Sequence, residues 1–347
     1  MEQNGFDSAF GAESGSDSQK SRFIICDHCP RHCRMAEGRR GFCHVRENRN
    51  GRSVCTAFGR STGLSIDPIE KKPLFHFLPG SRTLSLGTIG CNLNCNFCQN
   101  WTISRCVRDE VMNVMAAPDE IAALAHEKQC QSVAFTYNEP GIWSEYAIEI
   151  GKACKTRGIQ CVAVTNGFIC GEARRDFYSI LDGANIDLKG FTEDFYERFC
   201  SASLAPVLET IEWVAKETDV WLELTNLIIP RANDRRDEIA RMCDWIVEHV
   251  GPDVPLHFSA FFPKYHLVDR PPTSWETLKM ACQTAKKAGV RYVYVGNCSA
   301  PGYESTWCPN CAQMLLSRNG WHVSENHISQ NRCVFCGTKV PGRFAVN

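Results

Sequence analysis

Nothing in this sequence offers a route into or across a membrane. No apolar run approaches the ~20 residues that a spanning helix requires. The first 21 residues are polar, Gly/Ser-rich and acidic, without the apolar core of an export signal. A disordered tail over residues 1–21 and a cytoplasmic protein are the expectation. An excess of charge of one sign is also missing: 38 Lys and Arg stand against 39 Asp and Glu, a formal net charge of −1. With no basic stripe and no global field, the composition argues against nucleic acid and anionic membranes as partners. No fixed-period repeat is present. What remains is ordinary globular composition, 44% hydrophobic and 22% charged, enough for a sizeable core.

Cysteine is the exception, with 21 in 347 residues. A disulfide scaffold suits short secreted chains that lack a core. A 39.0 kDa chain without an export signal points to reduced thiolates that bind metal. Eleven of the cysteines fall into three sets: Cys26, Cys29, Cys33 and Cys43; Cys91, Cys95 and Cys98; and Cys308, Cys311, Cys333 and Cys336.

Between the outer sets, strand and helix patterns alternate. Thr83–Ile89, Ser132–Thr136, Cys161–Thr165, Ala184–Leu188, Val220–Leu224, Asn226–Ile229, Leu256–Phe261 and Tyr292–Val295 read as strands. Helical spacing marks Asp119–Glu127, Trp143–Ala153, Ile239–Val250 and Leu278–Ala288. About seven strand–helix units imply an α/β fold with a parallel sheet, open or closed into a barrel. Ligand sites in such sheets gather at the C-terminal strand ends. The expected organisation is the tail, a Cys-rich module with linker over 22–74, the α/β body over 75–300, and a four-cysteine module over 301–347.

The most informative stretch is Gly90-Cys-Asn-Leu-Asn-Cys-Asn-Phe-Cys-Gln-Asn100, directly after a strand. Three thiolates at x3 and x2 spacing can hold three corners of a [4Fe–4S] cluster, whereas a closed electron-transfer cluster takes four. The open iron can then be chelated by the amino and carboxylate groups of S-adenosylmethionine (SAM). Three buried structural cysteines, or a zinc knuckle that borrows a fourth ligand, are the alternatives.

This Cys-x3-Cys-x2-Cys loop resembles the signature of the radical SAM superfamily. Cys161-Val-Ala-Val-Thr-Asn-Gly-Phe168 and Asn185-Ile-Asp-Leu-Lys189 are similar to strands of pyruvate formate-lyase activating enzymes. The stretches around Cys91, Tyr137–Pro140, His257–Pro263 and Tyr292–Asn297, with both flanking cysteine sets, resemble the AmmeMemoRadiSam-system radical SAM family. The likeness covers roughly residues 22 to 345. It implies a partial or complete (β/α) barrel, TIM-like, with a [4Fe–4S] cluster and SAM as cofactors. It also implies Phe97 at the adenine, Glu139 near the methionyl amino group, Asn166 near the ribose and Lys189 at the methionyl carboxylate. The superfamily's Gly-Gly-Glu stretch is Tyr-Asn-Glu139 here, a departure at one of these positions.

Cys308-x2-Cys311 and Cys333-x2-Cys336 form the paired knuckles of a zinc-ribbon or rubredoxin-like site that binds zinc or iron. The N-terminal set has irregular spacing and fits zinc or an auxiliary Fe–S cluster, in a module with few apolar residues that needs a metal to fold. His28 and His32 could replace one of its ligands. Cys130, Cys154, Cys161, Cys243 and Cys282 read as small core hydrophobes. Cys55, Cys106, Cys170, Cys200 and Cys298 have no assigned place, and any one could serve substrate chemistry.

The expected activity is reductive cleavage of SAM to a 5′-deoxyadenosyl radical, which abstracts hydrogen from a substrate, a protein among the options. Activation of a glycyl-radical enzyme is one alternative, although no ferredoxin-like cysteine insert follows Cys98. A non-catalytic zinc-binding adaptor is the other. A reductant such as ferredoxin or flavodoxin is required, and the resemblance adds Memo-like and AMMECR-like proteins as partners.

Overall fold

The computed structural model describes residues 23–112, 114–300 and 302–344, so the expected disordered tail lies outside the described residues. An eight-stranded sheet forms the centre. Its strands are β1 (Gly63–Pro68), β2 (Arg82–Gly87), β3 (Ser132–Phe135), β4 (Gln160–Thr165), β5 (Gly183–Asp187), β6 (Trp221–Ile228), β7 (Leu256–Ala260) and β8 (Val293–Gly296). They pair in that same order from edge to edge. β1 is antiparallel to β2, and every later pair is parallel.

Parallel neighbours need crossovers, and helices provide them. They are α1 (Pro118–Glu127), α2 (Ser144–Lys155), α3 (Gly171–Tyr178), α4 (Ala205–Glu217), α5 (Arg236–His249) and α6 (Trp275–Ala288), one before each strand from β3 to β8. The helices cover one face of the sheet, so strands such as β3 are buried at every position and read as unbroken apolar runs. The ladder stops at β1 and β8 and does not close, so of the two expected forms, an open sheet or a closed barrel, the sheet is open. Val220–Leu224 and Asn226–Ile229, consecutive stretches of one expected strand–helix unit, fall on β6 and run one residue beyond it at each end. Helices α3 and α4 and the leading strand β1 were not expected from the pattern.

The N-terminal segment is two short hairpins, Ile24–Ile25 with Arg34–Met35 and Arg46–Arg49 with Arg52–Cys55. It does not stand apart from the body. Cys29, Cys43, Val45 and Ala57 belong to the main apolar core, so the shortage of apolar residues in this module is met by sharing that core. The C-terminal segment is a three-stranded antiparallel sheet, Thr306–Trp307, Met314–Asn319 and His322–Asn326, followed by the small hairpin Ile328–Ser329 with Arg332–Cys333. It packs on β8 through a separate apolar cluster that includes Phe75, Tyr292, Tyr294, Leu315 and Val340. Arg318 pins the contact. Its guanidinium donates to Phe75 O at 2.6 Å and Thr306 Oγ1 at 2.9 Å. It also lies 3.5 Å from Glu70, with both side chains 0% exposed. Among the described residues no helix is long and apolar enough to cross a membrane.

Candidate functional site

The loop that follows β2 is built from both sides. Asn138, just beyond β3, donates through Nδ2 to Thr88 Oγ1, Ile89 O and Gly90 O at 3.0, 2.9 and 2.8 Å. Its Oδ1 accepts from Thr88 N at 3.1 Å. The loop thus gains the backbone partners that an irregular buried segment otherwise lacks. Gly90 has φ of +84°, and a Cβ there would sit 2.0 Å from the Cys43 carbonyl oxygen, so only glycine fits. On the far side, Asn94 N and Asn96 N donate to the carbonyls of Cys200 and Phe199, which end a π-helical turn, Tyr196–Cys200.

This scaffold turns Cys91, Cys95 and Cys98 into one cavity of about 580 Å³, walled by the loops at the C-terminal ends of β2 to β8. Phe97, Glu139, Asn166 and Lys189 line the same cavity, so the structure brings together every site residue read from the central part of the sequence. The volume suits a small-molecule ligand. The lining also includes Lys72, Tyr137, His257, Ser259, Asn297 and, from the C-terminal segment, Trp321.

The individual side chains are firmly held. Glu139 is buried and accepts from Gly141 N at 2.8 Å, Thr165 Oγ1 at 2.7 Å and Asn166 N at 2.7 Å. Burial pushes its carboxyl up to about 7, and the three donors and nearby Lys189 hold it there rather than higher. Asn166 Nδ2 reaches Asn92 Oδ1 at 2.9 Å and Cys91 Sγ at 3.8 Å. Burial opposes the Lys189 ammonium most strongly, yet Asp187, 2.8 Å away, together with Cys95 and Cys200 raises its pKa overall, so the lysine stays charged. Phe97 is buried with its ring 6.1 Å from that of Phe195.

Left bare, the three thiols would keep their protons. Cys91 and Cys98 are raised chiefly by burial, and Cys95 chiefly by its hydrogen bond with Cys200. A bound metal's charge reverses that balance. The donor set fits a [4Fe–4S] cluster with one open iron: three cysteines line the cavity, while Cys200, beside Cys95, is not among the lining residues.

Sequence reading missed Asp187, the partner of Lys189, and Asn92 and Asn138, which position the loop. It also missed the buried Glu223–His257 pair, 2.7 Å apart. Periodicity carries no sign of such partners: most of the contacts join different strands and loops, and the Asp187–Lys189 pair joins two residues of one strand end. Cys130, Cys154, Cys161, Cys243 and Cys282 are buried, as expected of small hydrophobes. Among the unplaced five, Cys200 is buried, and Cys55, Cys106, Cys170 and Cys298 are half-buried.

The outer thiol sets differ in geometry. Cys308, Cys311, Cys333 and Cys336 place all four sulfurs within 4.8 Å of one another. Two of the contacts are 3.6 and 3.8 Å, close to the ~3.8 Å edge of a tetrahedron with metal–sulfur bonds of ~2.3 Å. This set could bind a single metal ion. Cys26, Cys29, Cys33 and Cys43 line a second, narrow cavity together with Arg31 and Arg46.

The family model of the radical SAM superfamily matches residues 86–246, from the end of β2 into α5. The chain is 42% identical to the uncharacterized protein MJ0808 of Methanocaldococcus jannaschii over 319 residues, 91% of this chain and 95% of that protein. A second protein of that organism, MJ1632, provisionally named a glycyl-radical enzyme activating enzyme, is 25% identical over 229 residues, 63% of this chain and 81% of its own length. Among solved structures, a domain of a pyruvate-formate lyase-activating enzyme from Bacteroides vulgatus superposes with a TM-score of 0.41 at 21% identity, covering 48% of this chain and 98% of that one. With its cysteine loop, its parallel sheet and this family match in agreement, the chain belongs to the radical SAM superfamily.

Proposed function

We propose that the chain is an enzyme that uses SAM at the cavity described above to start a radical reaction on a protein substrate. Cys91, Cys95 and Cys98 would hold the [4Fe–4S] cluster. A cluster held there would supply one electron for reductive cleavage of SAM bound beside it, the chemistry from which hydrogen abstraction on a substrate would follow.

The protein's share is binding, orientation and exclusion of water. Lys189, kept charged by Asp187, offers a cation to the methionyl carboxylate. Glu139 offers a carboxylate to the ammonium, Asn166 a polar contact at the ribose, and Phe97 an apolar face to the adenine. The observation that carries this reading is the convergence of all seven residues on one cavity. Likeness to MJ1632 supports a protein substrate, with activation of a glycyl-radical enzyme as its sharpest form. A ferredoxin or flavodoxin is the reductant in this reading, and zinc is the metal of the C-terminal set.

The test is anaerobic reconstitution with iron and sulfide, reduction with dithionite, and mass spectrometry for 5′-deoxyadenosine. Wild-type protein should form it, and Cys95→Ala should fall below detection. Product from both proteins, or from neither despite an intact cluster, would count against the assignment.

A further inference from the structure

We propose that Cys26, Cys29, Cys33 and Cys43 hold an iron–sulfur cluster of their own, beside the central one, through which electrons enter. The site stands on its own geometry; only its role in passing electrons inward rests on the function proposed above.

Sulfur spacing is the first argument. A single tetrahedral metal draws its four thiolates to ~3.8 Å from one another, and the C-terminal set already has that form. Among the described residues no other three thiols converge within 4.8 Å. Cys91, Cys95 and Cys98 share one cavity at wider spacing, as ligands to separate irons must. The N-terminal four also line one cavity, and no three of their sulfurs meet that 4.8 Å limit. The chain pattern agrees. Cys26-x2-Cys29-x3-Cys33 is the central x3, x2 spacing in reverse, with Cys43 brought in across the module.

The surroundings suit an anionic cluster. Arg31 and Arg46 stand in the cavity wall, and Phe42 N donates to Cys33 Sγ at 3.4 Å. Amide donors to sulfur and nearby cations both tune such clusters.

Position supplies the role. The Cys43 carbonyl abuts Gly90, the residue before Cys91, and Arg31 Nε donates to Asn92 O. One layer of backbone therefore separates the two thiol sets. Outward, residues 23–62 contain eight Arg and no Lys against three acidic residues. Arg34, Arg39, Arg49 and Arg52 are exposed. In a chain of near-zero net charge this basic face fits an acidic, low-potential one-electron carrier. The electron balance is simple: the carrier loses one electron, the N-terminal cluster gains it and passes the same electron inward, and no atom is transferred.

The experiment uses the full chain with Cys91, Cys95 and Cys98 all changed to Ala, reconstituted anaerobically with iron and sulfide. Iron, zinc and acid-labile sulfide are measured, with electron paramagnetic resonance after dithionite. The variant should keep labile sulfide and a reducible signal, and both should vanish when Cys29→Ser and Cys43→Ser are added. Iron bound at the C-terminal set alone brings no labile sulfide, so sulfide separates the sites. If the variant fails to fold, the wild type decides: it should carry twice the sulfide of one cluster. Zinc at the N-terminal set, or sulfide for a single cluster in the wild type, would overturn the proposal. Neither result touches the assignment of Cys91, Cys95 and Cys98, whose loss is read by 5′-deoxyadenosine.

Discussion

The N-terminal and C-terminal segments each carry a set of four cysteines, yet they are attached to the body in different ways. The C-terminal sulfurs converge on one point and sit over their own apolar cluster at the β8 edge. The N-terminal sulfurs stay apart, and two of the cysteines belong to the main core, against the loop that carries Cys91. Equal ligand counts therefore do not mean equal jobs. A converged set is a clasp whose energy is spent on holding its own hairpins together. A spread set built into the core is part of the site it touches.

The largest expected effect breaks the clasp. If zinc fills the C-terminal set as proposed, it supplies on the order of 10–16 kcal/mol to such a small module, and Cys333→Ser should unfold residues 302–344. Limited proteolysis should cut that segment while the iron of the central cluster remains. Loss of central iron in the same variant would show that the two ends are not independent.

Next comes the pin between clasp and body. Removing one partner of a buried ion pair costs about 3–5 kcal/mol, so Arg318→Leu should lower the denaturation midpoint sharply. Glu70→Gln in that background should recover part of the loss. On the other side, Gly90→Ala places a methyl against the Cys43 carbonyl at positive φ, for which strain alone costs about 1–3 kcal/mol. It should lower the occupancy of the central cluster while leaving the C-terminal metal unaffected, read by iron and zinc content.

The mildest probe is pH. Glu139 has its carboxyl raised to about 7 by burial, so it is neutral below that value and charged above it. If it receives the SAM ammonium, only the charged form binds well. Affinity should then fall about tenfold from pH 8 to pH 6, and Glu139→Gln should flatten the profile. A profile unchanged by that substitution would place the ammonium elsewhere.

Much of this was legible in the chain. Parallel strands buried on both faces write themselves as apolar runs, and the cluster cysteines lie on one short loop directly after such a strand. What stayed hidden was made by contact across the fold. β1 is Gly-Leu-Ser-Ile-Asp-Pro, whose polar residues read as linker, yet Asp67 there takes Lys71 and Lys72 at 2.8 Å each. α3, Gly-Glu-Ala-Arg-Arg-Asp-Phe-Tyr, is too polar to show a clear apolar stripe, although Phe177 and Tyr178 are buried. Asn92 and Asn138 are ordinary polar residues until the sheet brings their partners within reach. The N-terminal segment looked too poor in apolar residues to be part of a core because the residues it meets lie as far as 170 positions further along.

The wall supplied by Trp321 gives assembly a calendar. Synthesis delivers the cluster loop, residues 91–98, more than two hundred residues before Trp321. At 5–20 residues per second that gap lasts roughly ten to forty seconds. During that interval the thiols can meet iron and sulfide in a cleft still open at one side. The C-terminal segment then adds Trp321 to the lining, so the order of manufacture favours loading the cofactor first and completing its cavity afterwards.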